Sequence, residues 1–324
     1  MSTSQQRPAT ILAAVDADPS ARDAAVLANA LCGAGHAAGG EAPELLLAAV
    51  VVRPRLPLPA AIAGDGEARL RAQLDSALSE VRGACAPSAR TLLLSDRSPA
   101  HALREQIARE PVDTVVVGSS HRAADGEAFA GRTVRQVLHG APCAVALAAR
   151  GIGAPDGAEA GGAFALRRIV VGVDGSPEAA AALEAAATLA GRVGARLELV
   201  AVADDGLGLR PRRGPLGELA ELAEWDEAVA ARRDHARALV ERAAEGLDAA
   251  TEVRVGDPAE ELASAAEGAD LLVVGSRQWG ALDRVVIGST AEELLRGAPC
   301  SLLLVPRPHA ADPVSAADAD ATGD

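Results

Sequence analysis

The chain has 324 residues, which exceeds the usual size of one domain and predicts two domains of about 150 residues each. Its formal charge of −14 argues against a nucleic-acid partner, because a phosphate backbone needs a basic protein face. With two Trp, two Phe and no Tyr, the chain also lacks the aromatic platforms on which single strands stack.

The N-terminal segment and the cysteines indicate a cytoplasmic protein. Residues 1–10 contain no basic run followed by an apolar one, and no apolar stretch reaches about 18 residues. We therefore expect neither a signal peptide nor a membrane span. The four cysteines have no metal-type spacing, so we expect buried or partly buried thiols in a reducing compartment.

The first half of the chain alternates apolar runs with helical stretches. The runs predict five strands: ILAAVD (11–16), LLLAAVVV (45–52), TLLLS (91–95), DTVVVGS (113–119) and CAVALA (143–148). Strands that are apolar throughout are typical of a parallel sheet that helices cover on both faces. A Gly-, Ala- and Pro-rich segment, GIGAPDGAEAGGAF (151–164), then predicts a linker.

The second half repeats this order. Its predicted strands are RRIVVGVD (167–174), RLELVAVAD (196–204), TEVRVG (251–256), ADLLVVGS (269–276) and CSLLLVP (300–306). Ser176 followed by Pro177, and Asp257 followed by Pro258, are typical helix starts, with the capping residue before a proline. A long charged helix is predicted over about 217–246.

The two halves are duplicates of one unit. With a shift of 157 positions, residues 112–143 and 269–300 share thirteen identities in thirty-two positions. They include the run Gly-Ala-Pro-Cys that ends each segment, at 140–143 and 297–300. The predicted fold is α/β, with two tandem doubly wound five-stranded parallel-sheet domains. We place these domains at 1–149 and 166–307, with a linker at 150–165 and a disordered acidic tail at 308–324. In such sheets ligands sit beyond the carboxyl ends of the strands.

Four motifs of the second half, matched in the same order but less completely by the first half, together resemble the universal stress protein family in its tandem form. They are a strand ending in Asp with a following Ser, Gly-Asp-Pro before the third helix, VVGS after the fourth strand, and Gly-Ser-Thr followed by Gly-Ala-Pro-Cys. The resemblance covers 9–149 and 166–307 and implies HUP/Rossmann-like domains in a cytoplasmic stress-response protein. It also implies pairing across the last strands, so CAVALA and CSLLLV are expected to pair within one chain as a pseudo-dimer, and two chains to associate further.

The resemblance implies ATP, with Mg²⁺, as the ligand of the second half. ATP-binding members carry a glycine, a second glycine after two residues, and Gly-Ser or Gly-Thr after nine more. Glycines let backbone amides approach phosphate oxygens, and the helix that follows begins with free N–H groups. The matching positions, with the expected contacts of the base, ribose and phosphates, are Asp174, Val202, Val274, Gly275, Arg277, Gln278, Gly288, Ser289 and Thr290.

Several of these positions also have a purely structural interpretation. Gln278 replaces the middle glycine of the motif. If the backbone at this position needs a positive φ, Gln278 lowers the affinity for the nucleotide. If only the backbone amide points inward, Gln278 is tolerated. Asp174 either contacts the nucleotide or satisfies the turn at the strand end. Arg277 either meets a phosphate or lies on the surface, and Trp279 either covers the nucleotide or caps the sheet edge.

The first half departs further from the motif. His121 occupies the middle position, and Gly131 is followed by Arg132 rather than Ser or Thr. Asp16 remains at its strand end, and Asp18 puts a second carboxylate near any phosphate. We expect a degraded site used for packing, although His121, Arg122 and Arg132 offer an alternative attraction for an anion.

No catalytic motif is present, so we expect no enzyme activity. The first hypothesis is a stress-response protein whose second half binds ATP. The alternative is a nucleotide-free module of the same fold that docks protein partners. An adenine-nucleotide-dependent enzyme is a third hypothesis, which the missing catalytic residues disfavour.

Overall fold

A computed structural model describes nine segments of the chain, and the account below is confined to them. They are residues 8–18, 21–33, 43–53, 60–139, 141–154, 164–204, 218–279, 284–286 and 288–307. Side chains in 60–65, 218–226, 277–279 and 284–286 lie outside the description. The predicted linker and the acidic tail lie largely or wholly outside it too.

Each half is an alternating series of strands and helices. The first half comprises β1 (Thr10–Val15), α1 (Ala21–Cys32), β2 (Glu44–Val52), α2 (Ala60–Cys85), β3 (Arg90–Asp96), α3 (Pro99–Arg109), β4 (Thr114–Gly118), α4 (Arg132–Leu138) and β5 (Ala144–Ala148). The second comprises β6 (Arg168–Gly172), α5 (Pro177–Val193), β7 (Arg196–Ala203), α6 (Glu218–Ala243), β8 (Ala249–Val255), α7 (Pro258–Ala265), β9 (Leu271–Trp279), β10 (Arg284–Val286), α8 (Ser289–Leu294) and β11 (Ser301–Pro306). The predicted α/β class is confirmed.

The strands form one sheet in the order β3-β2-β1-β4-β5-β11-β9-β6-β7-β8, with β10 paired to β9. Within each half the neighbours on this path are parallel, as predicted. Both halves therefore have the same internal order, and their first and fourth strands lie side by side. Ligand clefts of doubly wound sheets form where the strand order reverses, so each half offers one such place.

The halves join through β5 and β11, the pairing that the family resemblance implied, and the two strands run antiparallel. Leu303 lies opposite Ala146, and Leu304 opposite Val145. Because successive side chains of a strand point to opposite faces, Ala146 and Leu303 belong to the apolar layer on one face, which both halves share. Val145 and Leu304 belong to the layer on the other face. The junction is thus continuous core, and it removes two strand edges from solvent.

Two helix starts near the cleft of the second half form as predicted. Ser176 Oγ accepts a hydrogen bond from the Ala179 N–H at 3.1 Å before Pro177 opens α5. Asp257 accepts from the N–H groups of Ala259 and Glu260, at 2.8 and 3.1 Å, before α7. These caps satisfy donors that no helix can satisfy internally, and they fix both helices beside the strand ends.

One predicted boundary is wrong. The fourth strand of the second half was predicted to end at Ser276, whereas β9 continues to Trp279 and forms a hairpin with β10. The β-branched residues Val285 and Val286 favour a strand, and their pairing satisfies backbone groups of 277–279 that a loop would leave to solvent. The sheet therefore has eleven strands among the described residues rather than ten.

Within the described ranges, every helix is too short or too polar to cross a lipid bilayer. All four cysteines are free. Burial raises the pKa of the Cys32 thiol to about 11 and those of Cys143 and Cys300 to about 12. Such thiols stay protonated near neutral pH and serve as packing groups, while Cys85 is only half-buried.

Candidate functional site

A cavity of about 180 Å³ opens at the carboxyl ends of β6, β7 and β9. This is the place that the topology of a doubly wound sheet assigns to a ligand. Its lining includes seven of the nine predicted site residues: Asp174, Val202, Val274, Gly275, Gly288, Ser289 and Thr290. The fold thus brings together groups that lie up to 116 positions apart in the sequence (290 − 174).

The floor of the cavity is apolar and depends on a small residue. Val200, Val202, Val274 and Leu262 line it. A Cβ added to Gly172 would lie 3.1 Å from Leu262 Cδ1 and 3.4 Å from Val274 Cγ1. Glycine at the end of β6 therefore leaves room that any larger residue would fill. A flat apolar floor of this kind suits a planar ring better than a charged group.

Asp174 lies at the mouth of the cavity, and one of its oxygens is already used. Its Oδ1 accepts a hydrogen bond from the Ser176 N–H at 2.9 Å, which closes the turn between β6 and α5. The turn-forming role that the sequence allowed is therefore present. The same bond fixes the orientation of the exposed carboxylate at the rim of the cavity.

Gly275 is required for packing. A Cβ at this position would lie 2.6 Å from the carbonyl carbon of Glu178, 2.7 Å from its oxygen and 2.9 Å from the Ala179 nitrogen. These are backbone atoms of the first turn of α5, which cannot move aside as a side chain can. The first glycine of the motif therefore lets α5 approach β9, a role that needs no phosphate.

Gly288 is in a different situation. Its backbone is extended, with φ −66° and ψ 160°, a conformation that any residue adopts. Among the described residues, none apart from its chain neighbours has an atom within 4 Å of the position a Cβ would take. It is the N-cap of α8 and has no side chain with which to cap it. The first N–H groups of α8, at Ser289 and Thr290, therefore lack the capping oxygen that α5 and α7 have.

Arg277 and Gln278 have side chains outside the described residues, and only their backbone can be placed. Arg277 lies opposite Val286 and Gln278 opposite Val285 in the β9–β10 hairpin. The middle position of the glycine motif is thus part of an antiparallel ladder, not of an open phosphate loop. Strand conformation suits Gln without strain, which explains how a residue other than glycine occupies the position.

Among the described residues that line the cavity, the charged side chains are both acidic. Ser176, Glu178 and Pro258 also line it and were not predicted. Glu178 follows Pro177 in the first turn of α5, where acidic residues are common, so nothing in the sequence distinguished it from an ordinary helix-start residue. Two carboxylates, of Asp174 and Glu178, therefore face any phosphate. The described residues contain no cluster of three or more His, Cys, Asp or Glu side chains that could hold a metal ion.

The first half has a corresponding cavity of about 330 Å³, lined by Asp16, Gly118 and Thr133 among others. Asp16 Oδ1 accepts from the Asp18 N–H at 2.9 Å, as Asp174 does from Ser176. Burial raises the pKa of the Asp16 carboxyl, and the Asp18 carboxylate raises it further. Asp16 lines this cavity, whereas Asp18 lines a neighbouring one, so the second carboxylate that the sequence suggested does not belong to this lining.

The segment after β4 is folded differently from its counterpart after β9. Ser119 Oγ donates to the Ala148 carbonyl at 2.6 Å and accepts from the Phe129 N–H at 3.2 Å, so the segment packs back on β5. His121, Arg122 and Arg132 do not line the cavity beyond β1. They line another cavity, on the outer side of α3 and α4.

Comparison with known proteins yields one family. The sequence model described as Universal stress protein family matches residues 9–148 and again residues 165–306. A universal stress protein of Methanocaldococcus jannaschii is 31% identical over 148 residues, which are 44% of this chain and 83% of that protein.

Two solved structures share the fold along nearly the whole chain. A universal stress protein from Archaeoglobus fulgidus has a TM-score of 0.60 at 16% identity, and the alignment covers 92% of this chain and 98% of that one. A structure of a putative universal stress protein from Pseudomonas aeruginosa has a TM-score of 0.53 at 16% identity, with coverage of 94% and 95%. At these identities the likeness concerns the fold alone.

Proposed function

The chain belongs to the universal stress protein family, whose members are stress-response proteins, and from that premise we propose that its second half binds an adenine nucleotide, ATP, in the cavity beyond β6, β7 and β9. A universal stress protein from Arabidopsis thaliana has been solved with AMP bound. It is only 17% identical to this chain, so the case here depends on the chain's own residues.

The observation that carries the proposal is the open space beside Gly288. In the part of the chain that the structure describes, nothing requires a glycine there, since the backbone is extended and no residue beyond the chain neighbours comes within 4 Å of a Cβ at this position. Uncapped N–H groups follow directly, at Ser289 and Thr290. Because α8 has only six residues, we assign phosphate contact to these amides and the two hydroxyls and expect little from a helix dipole.

We place the adenine ring on the apolar floor and the phosphates near Gly288. The backbones of Val202 and Val274 then meet the base, and the free oxygen of Asp174 meets the ribose. The cavity, at about 180 Å³, is smaller than the roughly 300–1,000 Å³ of typical small-molecule sites, so part of the nucleotide extends over the β9–β10 hairpin. Arg277 and Gln278, on that hairpin, are proposed to meet the extended part.

Mg²⁺ is proposed to accompany the phosphates, because the nearby carboxylates of Asp174 and Glu178 repel a bare triphosphate. The first half serves as a pseudo-partner joined through β5 and β11, in a two-domain chain with the boundaries given above. We propose a cytoplasmic, non-enzymatic protein that works through protein partners and self-association, with slow ATP hydrolysis as an incidental event.

The small volume and the two carboxylates favour one alternative, a nucleotide-free module whose loops dock a protein partner. The two hypotheses differ in one measurable quantity, the affinity of the full-length chain for MgATP. The enzyme hypothesis requires turnover well above background in the same preparation.

The test measures MgATP binding by calorimetry and by the shift in the thermal unfolding midpoint. A ligand that binds only the native state stabilises it by about 2.7 kcal/mol at one hundred times Kd. Gly288→Val should weaken MgATP binding without loss of stability, because the added methyl groups enter the space assigned to the phosphates. Asp174→Asn keeps an oxygen for the Ser176 N–H and removes the charge, so it should change affinity without changing the turn.

Gly83→Val is the matched control, because Gly83 lies on the exposed face of α2 with no neighbour within 4 Å and far from the cavity in sequence. It should bind MgATP like the wild-type chain. If the wild-type chain binds no MgATP at millimolar concentration, the nucleotide-free alternative holds. If Gly288→Val binds as well as the wild type, the nucleotide sits elsewhere.

A further inference from the structure

A second cavity, of about 790 Å³, lies between α3 and α4 of the first half, outside the cavity that corresponds to the proposed nucleotide site. We call it the α3–α4 groove. Six basic side chains line it: Arg104, His121, Arg122, Arg132, Arg135 and His139. Among the described residues that line it, none is a carboxylate. In a chain with a formal charge of −14, such a concentration of cations is contrary to the composition.

Most of these guanidinium groups lack a counter-charge within the described part of the chain. The side chains of Arg104, Arg122 and Arg132 have no hydrogen bond or ion pair there. Arg104 is nevertheless half-buried on α3, and a partly desolvated cation without an acceptor is unfavourable. Arg135 has only a distant partner, since its Nη1 lies 4.0 Å from Glu292 Oε1 at the rim of the groove.

The basic surface continues beyond the groove. An adjoining cavity shares Ser98 and Arg104 with it and adds Arg53, Arg97 and His101. The one carboxylate there, Asp96, is already occupied, since it accepts from the Ser98 N–H and contacts His101 Nδ1, each at 2.9 Å. The hydrogen bond from the Ser98 N–H lowers the pKa of Asp96 most, and the contact with His101 lowers it further, so this carboxylate stays charged and paired.

The second half does not repeat this charge pattern. Aligning Pro99 with Pro258 puts Ala263 at the position of Arg104, and aligning Gly131 with Gly288 puts Glu292 at the position of Arg135. Both positions therefore change from basic to neutral or acidic. The groove is consequently not a feature of the repeated unit but belongs to the first half alone.

We propose that the α3–α4 groove binds a compact oligophosphate group, a second anion site independent of the ATP site. Guanidinium forks match phosphate oxygens two at a time, and arginines from three segments around one concavity suit a small multivalent anion. An extended acidic peptide would instead need basic side chains arranged along a line. The half-buried Phe129 also lines the groove and offers a face to a nucleobase, if the oligophosphate carries one.

The test is calorimetric titration of the full chain with inorganic tripolyphosphate, without divalent cations and at 50 mM salt. The wild-type chain should bind, and Arg104→Gln with Arg132→Gln should weaken binding at least tenfold. The matched control, Arg69→Gln with Arg71→Gln, removes two charges from the exposed face of α2 and should change binding less than twofold. Arg132→Gln alone, at an exposed position, guards against a folding defect in the double variant.

Gly288→Val blocks the proposed nucleotide site, so tripolyphosphate should still bind this variant at the groove, and adding Arg104→Gln with Arg132→Gln should weaken that remaining binding. The affinities of the Gly288→Val chain for ATP and for tripolyphosphate are then compared. If ATP binds more tightly, and if Phe129→Leu removes the difference, the ligand is a nucleoside oligophosphate. Equal affinities identify the phosphate chain alone. The proposal is overturned if the wild-type chain fails to bind tripolyphosphate, if the α2 control weakens binding equally, or if Gly288→Val abolishes it.

Discussion

Two glycines of the same motif should respond in opposite ways to the same substitution. Gly275→Ala places a methyl group 2.6–2.9 Å from three backbone atoms at the start of α5. Gly288→Ala places it where no described residue beyond the chain neighbours has an atom within 4 Å, on a backbone that alanine adopts freely. If the two glycines had one shared purpose, the two variants would behave alike.

The magnitudes follow from these distances. A Cβ atom essentially never comes within 3.0 Å of a non-bonded heavy atom beyond its chain neighbours, so α5 must shift away from β9 in Gly275→Ala. Overpacking of this kind costs about 1–3 kcal/mol, and the rigid backbone partner favours the upper part of that range. Gly288→Ala should be neutral or stabilise by up to about 1 kcal/mol, because alanine restricts the unfolded chain.

Urea unfolding followed by far-UV circular dichroism measures both free energies, and calorimetry with MgATP measures the functional consequence. We expect Gly275→Ala to lose stability, and Gly288→Ala to keep it while binding MgATP more weakly. A Gly275→Ala chain within 0.5 kcal/mol of the wild type would falsify the packing argument. A Gly288→Ala chain that keeps both its stability and its MgATP affinity would contradict the argument that the space beside Gly288 serves the phosphates.

Three further outcomes follow from contacts elsewhere. Ser301→Ala should destabilise the junction of the halves by about 1–3 kcal/mol in urea unfolding, because the buried Ala149 N–H loses the hydroxyl that accepts from it at 3.1 Å; stability unchanged from wild type would contradict this. Hydrogen bonds from Arg168 lower the pKa of Glu198, so the charged carboxylate stabilises the folded chain above the unfolded pKa near 4.5. This contribution is lost as the pH falls below 4.5, and Glu198→Gln should therefore flatten the decline of the unfolding free energy at acidic pH. At pH 8 a thiol reagent should modify the half-buried Cys85 before the three buried cysteines, and simultaneous modification of all four in the native chain would contradict the burial described.

Local patterns in the sequence determined most of the fold. Continuous apolar runs predicted ten strands, because strands buried on both faces need no polar positions. The Ser176-Pro177 and Asp257-Pro258 pairs predicted helix starts, because capping depends only on residues a few positions apart. The hairpin of β9 and β10 was missed, because the pairing of Gln278 with Val285 leaves no strong pattern in a segment of mixed polarity.

The sequence also predicted seven of the residues that line the candidate site, because the family resemblance and the topology of a doubly wound sheet put Asp174, Val274 and Gly288 at one edge of the sheet. Only the tertiary structure decided why each residue is there. Gly275 and Gly288 look equivalent as letters, but one lies against the backbone of Glu178 and the other beside open space. Distances between segments distant in sequence set that difference, and no local pattern encodes them.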